Sequence, residues 1–210
     1  MSLAWQWHEA FMTSTQALLQ ALPEYGPVTE ALPAQTHELQ CHPATPAGMA
    51  LSLEVEVRMS EQEWALHYRL LGKTASLRIP PAAFSDPADG LWQHTCFEAF
   101  LATEGDEAYR EFNFSPSGQW AVYRFAAERV RDVAEDGTRP ALQVSIGANS
   151  LELIARWPLA RLPAGASFRL GLCAVVEEAD GRLSYWAIAH PKDRPDFHHR
   201  DGRALRLASP

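Results

Sequence analysis

The chain reads as an all-β sandwich of about ten strands. Three features predict it. Apolar and polar residues alternate with a period of two over long stretches. Clusters of Gly, Pro, Asn and Asp separate those stretches at hairpin-like spacing. Helical periodicity is confined to the start of the chain.

Near the N-terminus Phe11, Thr15, Leu18, Leu19 and Leu22 fall at helical spacing, Thr13 or Ser14 can cap, and Pro23 and Gly26-Pro27 end the run. A short amphipathic helix over Ser14–Leu22 follows, with its apolar stripe as a docking surface for the rest of the chain. A Pro-rich connector runs on to Pro46. Residues 1–38 are thus expected to form an appendage to a sandwich domain over 39–210.

From Leu51 the period becomes two. Leu51, Leu53, Val55, Val57 and Met59 alternate with Ser52, Glu54, Glu56 and Arg58, and Trp64, Leu66, Tyr68 and Leu70 repeat the pattern. A short strand is expected over Lys73–Ile79, before Pro80-Pro81. Three more follow over Trp92–Leu101, Tyr109–Phe114 and Gln119–Phe125, the last two joined by a tight turn at Ser115-Pro116-Ser117-Gly118. The remaining strands are Ala141–Ile146, Ser150–Trp157, Phe168–Glu177 and Leu183–His190, with a hairpin turn at Ala179–Arg182. Arg124–Arg131 and Leu159–Leu162 are short enough to make one helical turn each.

Composition narrows the function. Eighteen basic against 26 acidic residues give a formal charge of −8, with no basic run, which argues against a nucleic acid or an anionic membrane as partner. Cys41, Cys96 and Cys173 are widely spaced and lack a C-x-x-C pair, so neither a disulfide framework nor a zinc knuckle is expected. The N-terminus shows no signal peptide and no window approaches a membrane span, so a cytoplasmic location is expected. No pattern specifies an oligomer. Phosphate-binding loops, nucleophile elbows and H-E-x-x-H helices are missing.

The site is expected on the three central strands. Phe112 and Phe114 must face inward, which turns Tyr109, Glu111 and Asn113 outward. Phe97, Ala99 and Leu101 take the core side of the preceding strand, leaving Trp92, His94, Cys96, Glu98 and Phe100 outside. In the third strand Ala121, Tyr123 and Phe125 are placed inward and Trp120, Val122 and Arg124 outward. Trp92, His94, Glu98, Glu111, Asn113, Trp120 and Arg124 would then share one sheet face. Such a face can be merely solvated, but two indoles among carboxylate, amide and guanidinium groups suit a binding surface better. If Glu98 is buried, Arg124 or a backbone donor should pair with it. The C-terminal stretch Trp186–Gly202, with His190, His198 and His199, reads as a loop pinned by Pro191, Pro195 and Phe197 rather than a metal site.

Three segments, LWQHTCFEAFL at 91–101, YREFNFSPSGQWAVYRF at 109–125 and EEADGRLSYWAIAHPKDRPDFHHRDG at 177–202, resemble bacterial DOMON-like proteins and, more distantly, family 9 carbohydrate-binding modules. The resemblance implies a jelly-roll-like antiparallel sandwich, with Glu98 and Asn113 at positions matching the modules' strand Glu and Asn. His94-Thr95-Cys96 stands where the sugar-binding relatives usually carry aspartates, which departs from a calcium or sugar role there. Cytochrome-type relatives hold haem between Met and His; Met59 is expected on the core side of its strand, and no motif supports such a pair.

The reading is a non-catalytic module that binds a small molecule, a carbohydrate or other polyol, without a cofactor. One alternative is a hydrolase or isomerase with Glu98 and Glu111 as an acid/base pair. Another is a haem-binding module.

Overall fold

The computed structural model describes residues 34–134, 138–162, 165 and 167–208. The helix expected over Ser14–Leu22 lies outside the described residues. Twelve strands are found among them: β1 (Gln35–Cys41), β2 (Ser52–Met59), β3 (Glu63–Leu71), β4 (Cys96–Thr103), β5 (Tyr109–Phe114), β6 (Trp120–Ala127), β7 (Val130–Asp132), β8 (Ala141–Ile146), β9 (Ser150–Pro158), β10 (Ser167–Glu177), β11 (Leu183–Ala187) and β12 (Leu205–Ala208).

Their order is β7-β6-β5-β4-β10-β11-β1-β2-β3-β9-β8, every pairing antiparallel, with β12 on the first half of β10. β1 joins the two halves, because Gln35–Leu39 pair with β2 while Gln40 and Cys41 pair with β11. One sheet therefore runs β1-β2-β3-β9-β8 and the other carries β4–β7 with β10–β12.

The alternation read from the sequence packs the two sheets together. Leu53, Val55, Val57 and Met59 of β2 and Trp64, Leu66, Tyr68 and Leu70 of β3 meet Phe97, Ala99 and Leu101 of β4 and Phe112 and Phe114 of β5 in one buried cluster. Aromatic rings dominate the contact: the Phe112 ring lies 5.8 Å from Trp64 and 5.0 Å from Trp157, and Phe97 lies 5.0 Å from Tyr68. The two Phe112 pairs are edge to face and the Phe97 pair is tilted, and aromatic pairs of this kind add about 0.5–1.5 kcal/mol each beyond the area they bury.

The outer face of the second sheet is buried as well. Phe100, Tyr109, Ala121, Tyr123, Phe125, Cys173 and Ala187 form a separate cluster against which Leu91 and Phe197 pack. The chain after β11 folds back over this face. A Cβ at Gly171 of β10 would sit 3.0 Å from the Gly202 carbonyl, so the absence of a side chain there lets the returning loop lie on the strand.

Several elements differ from expectation. The connector expected up to Pro46 contains β1, whose only fully buried apolar residue is Leu39, so its alternation is faint. Lys73–Ile79 holds a 3-10 turn at Thr74–Ser76 and one isolated bridge rather than a strand. Leu91–Gln93 is likewise a 3-10 turn, and β4 begins only at Cys96. Arg124–Arg131 is a hairpin, with Arg129 at φ 59° in its turn, rather than a helical turn.

Candidate functional site

The loop between β5 and β6 decides which residues face the site. Phe114 pairs with Trp120, leaving five residues, Ser115–Gln119, in the connection. Gly118 has φ 94°, and the Gly118 amide donates to the Ser115 carbonyl while the Ser115 amide donates to Gln119. This is a type I turn extended by a left-handed glycine and a bulge. The extra residue shifts β6 by one relative to a four-residue turn, and a shift of one exchanges its two faces.

The expected placement of β6 is therefore inverted. Trp120 and Val122 belong to the main core, and Arg124 on the same side pairs with Asp132 at 3.2 Å. Tyr123 lies opposite Glu111, and Phe125 opposite Tyr109 with their rings stacked at 4.7 Å. Trp120 and Arg124 are thus separated from Glu98 and Glu111 by the sheet itself. His94 leaves the site too: its Nδ1 lies 2.7 Å from Glu177 Oε2, in an ion-pair cluster with Arg78.

Trp92, Glu98, Glu111 and Asn113 do converge. β4 and β5 pair Glu98 with Asn113 and Phe100 with Glu111, so the two glutamates are diagonal neighbours on one face. Above them opens a cavity of about 450 Å³. Its floor is Glu98, Glu111 and Phe100; its walls are Trp92, Tyr123, Phe125, Tyr185, Phe197 and His198; Arg129 and Arg131 stand at the rim. The Trp92 and Tyr123 rings meet edge to face at 5.7 Å, and the Tyr123 hydroxyl donates to Asp89 Oδ1 at 2.7 Å. Arg131 lies over the other side of Tyr123, its guanidinium 4.1 Å from the ring centre.

The floor is electrostatically uneven. Asn113, fully buried, donates its amide to Glu111 Oε1 at 2.7 Å and takes a weak bond from the Cys96 thiol. Glu98 is only 2% exposed, and its Oε1 has no hydrogen-bond partner. Neither Arg124 nor a backbone donor satisfies that oxygen, contrary to expectation. Burial, and then the charge of Glu111, push the Glu98 carboxyl well above the usual carboxylate range. Burial also raises Glu111, but the Asn113 bond and the fields of Arg131 and Arg129 oppose the rise. Of the two, Glu111 is the better placed to carry the negative charge.

One wall is held by a relay of hydrogen bonds. The Arg129 backbone amide donates to the Tyr109 hydroxyl at 3.2 Å, and that hydroxyl lies 2.8 Å from His198 Nδ1. With Nδ1 accepting from Tyr109, the network assigns the imidazole proton to Nε2, which faces Glu111 Oε2 at 3.8 Å. Burial lowers the His198 pKa to about 4, so the ring is neutral at pH 7. Arg203, only 5% exposed, covers the other face of Tyr109 at 4.6 Å and donates to the His198 carbonyl.

Tyr123, Phe125, Arg129, Arg131, Tyr185, Phe197 and His198 are site residues that the sequence reading did not collect. The Gly118 bulge signal in SPSGQ would have recovered Tyr123 and Phe125. The loop residues Phe197 and His198 reach the site only through long-range folding. Among the described residues no three His, Cys, Asp or Glu side chains converge as a metal site, and Met59 is packed in the main core. No described helix is long and apolar enough to cross a membrane.

No protein-family model and no curated protein matches the chain. Solved structures do. A protein from Bacteroides uniformis described as a candidate carbohydrate binder superposes with a TM-score of 0.60 at 18% identity, over 80% of this chain and 83% of that one. A family 9 carbohydrate-binding module from Caldicellulosiruptor kristjanssonii, in complex with glucose, gives 0.57 at 9% identity over 83% and 84%. A family 9 module from the same organism, in complex with cellotriose, gives 0.50 at 11% identity over 72% of each chain. These similarities establish the antiparallel β-sandwich architecture shared with such modules.

Proposed function

We propose that this protein is a DOMON-like saccharide-binding module that takes one or two sugar rings, or a comparable polyol, into the cavity over Glu98 and Glu111. The observation that carries this reading is the lining of that cavity. Aromatic walls on several sides suit the C–H faces of a sugar ring, and carboxyl groups on the floor with guanidinium groups at the rim suit its hydroxyls. Trp92 and Tyr123 form the aromatic lip. Glu98 and Glu111 order the hydroxyl groups, and Asn113 acts through Glu111 as a positioning residue. The similarly folded modules crystallised with glucose and cellotriose support the same ligand class.

These groups hold a polyol without metal or haem. The three cysteines are free, and those of Cys96 and Cys173 are buried with thiols raised by burial, in keeping with the cytoplasmic location we assign. The test is titration calorimetry with D-glucose, D-galactose, D-xylose and cellobiose, paired with Trp fluorescence. A dissociation constant in the micromolar to millimolar range, about 4 to 8 kcal/mol of binding free energy, is expected for a partly open site of this kind. Trp92→Ala should remove the fluorescence response. Absence of binding across the panel would refute the reading.

A further inference from the structure

The floor of the cavity has an arrangement that binding alone does not require. Glu98 and Glu111 project from neighbouring strands on the same sheet face, as diagonal cross-strand neighbours. Their surroundings are unequal. Glu111 accepts a 2.7 Å bond from the Asn113 amide and has the neutral His198 ring beside it. Glu98 is almost wholly buried, borders the cavity, and has one carboxyl oxygen with no protein partner. A carboxyl in that position is held neutral, since ionising it would leave a buried charge without a counter-ion.

We propose that the cavity catalyses the interconversion of the anomers of a bound reducing sugar, with Glu98 as the acid and Glu111 as the base. This rests on the saccharide-binding reading above and goes beyond it. The Glu98 carboxyl gives its proton to the ring oxygen while Glu111 removes the proton of the anomeric hydroxyl. The bond between the anomeric carbon and the ring oxygen breaks, and the anomeric C–O bond becomes a carbonyl.

After rotation about the adjacent carbon–carbon bond, the ring hydroxyl adds to the opposite face of the carbonyl. It returns its proton to Glu98, and Glu111 gives its proton back to the new anomeric oxygen. Both groups end as they began, so no water, oxidant or other reactant is consumed. The side-by-side geometry favours this reaction over glycoside hydrolysis, in which the two carboxyl groups flank the scissile bond from opposite sides. Two carboxyls side by side on one sheet face suit the two oxygens of a hemiacetal, which share one carbon.

The experiment is exchange NMR on D-glucose, D-galactose, D-xylose and cellobiose labelled with ¹³C at the anomeric carbon, with calorimetry on the same sugars. The rate of anomer exchange should rise in proportion to protein concentration. Methyl β-D-glucopyranoside, which cannot open, should compete with glucose and suppress the effect. At saturating sugar, Glu98→Gln and Glu111→Gln should each lower the acceleration about 100-fold or more, the scale of acid–base catalysis, while affinity changes by less than about tenfold. Sugars that bind but exchange at the buffer rate would overturn the catalytic inference and leave the binding reading standing. Retention of the acceleration in both variants would overturn the assignment of the two residues. If none of the sugars binds, both readings fall.

Discussion

His198 should make the folded protein sensitive to acid in a window that can be calculated. Its ring is packed among Phe100, Tyr109 and Phe125, and burial lowers its pKa from 6.5 to about 4. In the unfolded chain it takes up a proton as pH falls through 6.5; in the folded protein it resists until about 4. Between those values the unfolded state binds more protons, so this residue's contribution to stability is complete above 6.5 and is lost as pH falls to about 4. At about 1.4 kcal/mol per unit, the full loss is about 3 kcal/mol, reduced to about 2–3 because the side chain is 20% exposed. Glu98 and Glu111 act in the opposite sense in an overlapping range, so the quantity to follow is a difference. His198→Asn keeps an acceptor near the Nδ1 position for the Tyr109 hydroxyl and cannot titrate. Urea unfolding of both proteins from pH 4 to pH 7.5 should show the wild type losing about 2–3 kcal/mol relative to the variant as pH falls. A flat difference, or an imidazole NMR titration of His198 near 6.5 in the folded protein, would refute the burial argument.

Phe112→Ala should cost about 3–5 kcal/mol in urea unfolding, since the ring is fully buried against Trp64 and Trp157. Trp120→Ala should cost about 3 kcal/mol while leaving sugar binding in place, because Trp120 is on the core side of β6. Trp92→Ala should cost less than about 1 kcal/mol, its side chain being 40% exposed, yet abolish the fluorescence response. Glu98→Gln should raise stability relative to the wild type as pH climbs above the ordinary carboxyl range. The folded wild type holds a proton there that the unfolded chain has already released, so it loses stability that the variant keeps; equal melting temperatures at pH 5 and pH 8 for both proteins would show Glu98 to be normally ionised.

The strands that the sequence exposes are those with one face in the main core. β2, β3, β5, β8 and β9 carry either clean alternation or two inward aromatics, and their phases follow from that alone. β1 is obscure because its pairing depends on two different neighbours rather than on its own apolar residues. β6 has alternation on both sides, Trp120 and Val122 against Tyr123 and Phe125, so pattern alone cannot choose a face and the turn must. A four-residue turn at SPSG would place Tyr123 and Phe125 in the main core, and the left-handed Gly118 with its bulge places Trp120 and Val122 there instead. The roof of the site was beyond local reading. His198 and Phe197 are placed by a loop whose seat on Gly171 joins residues about 30 apart in the chain, and no periodicity reports that contact.

β4 shows how the two kinds of information meet. Its residues from Cys96 to Ala102 are all buried, as expected of a strand covered on both faces, and its composition is a nearly continuous apolar run. Glu98 is the sole ionisable carboxyl in that run. A strand selected only for stability would carry an apolar residue there, since desolvating a carboxyl without a partner opposes folding by several kcal/mol. Neighbouring polar groups do not relieve it: Asn113 is committed to Glu111, the Tyr68 hydroxyl to the Glu98 backbone carbonyl, and Arg124 lies beyond the sheet. The carboxyl borders the floor of a cavity otherwise walled with rings, which points to a partner that arrives from outside the chain. In the proposed function a ligand hydroxyl or ring oxygen supplies that partner, and in the proposed catalysis the same local departure from stability keeps the Glu98 proton available for transfer.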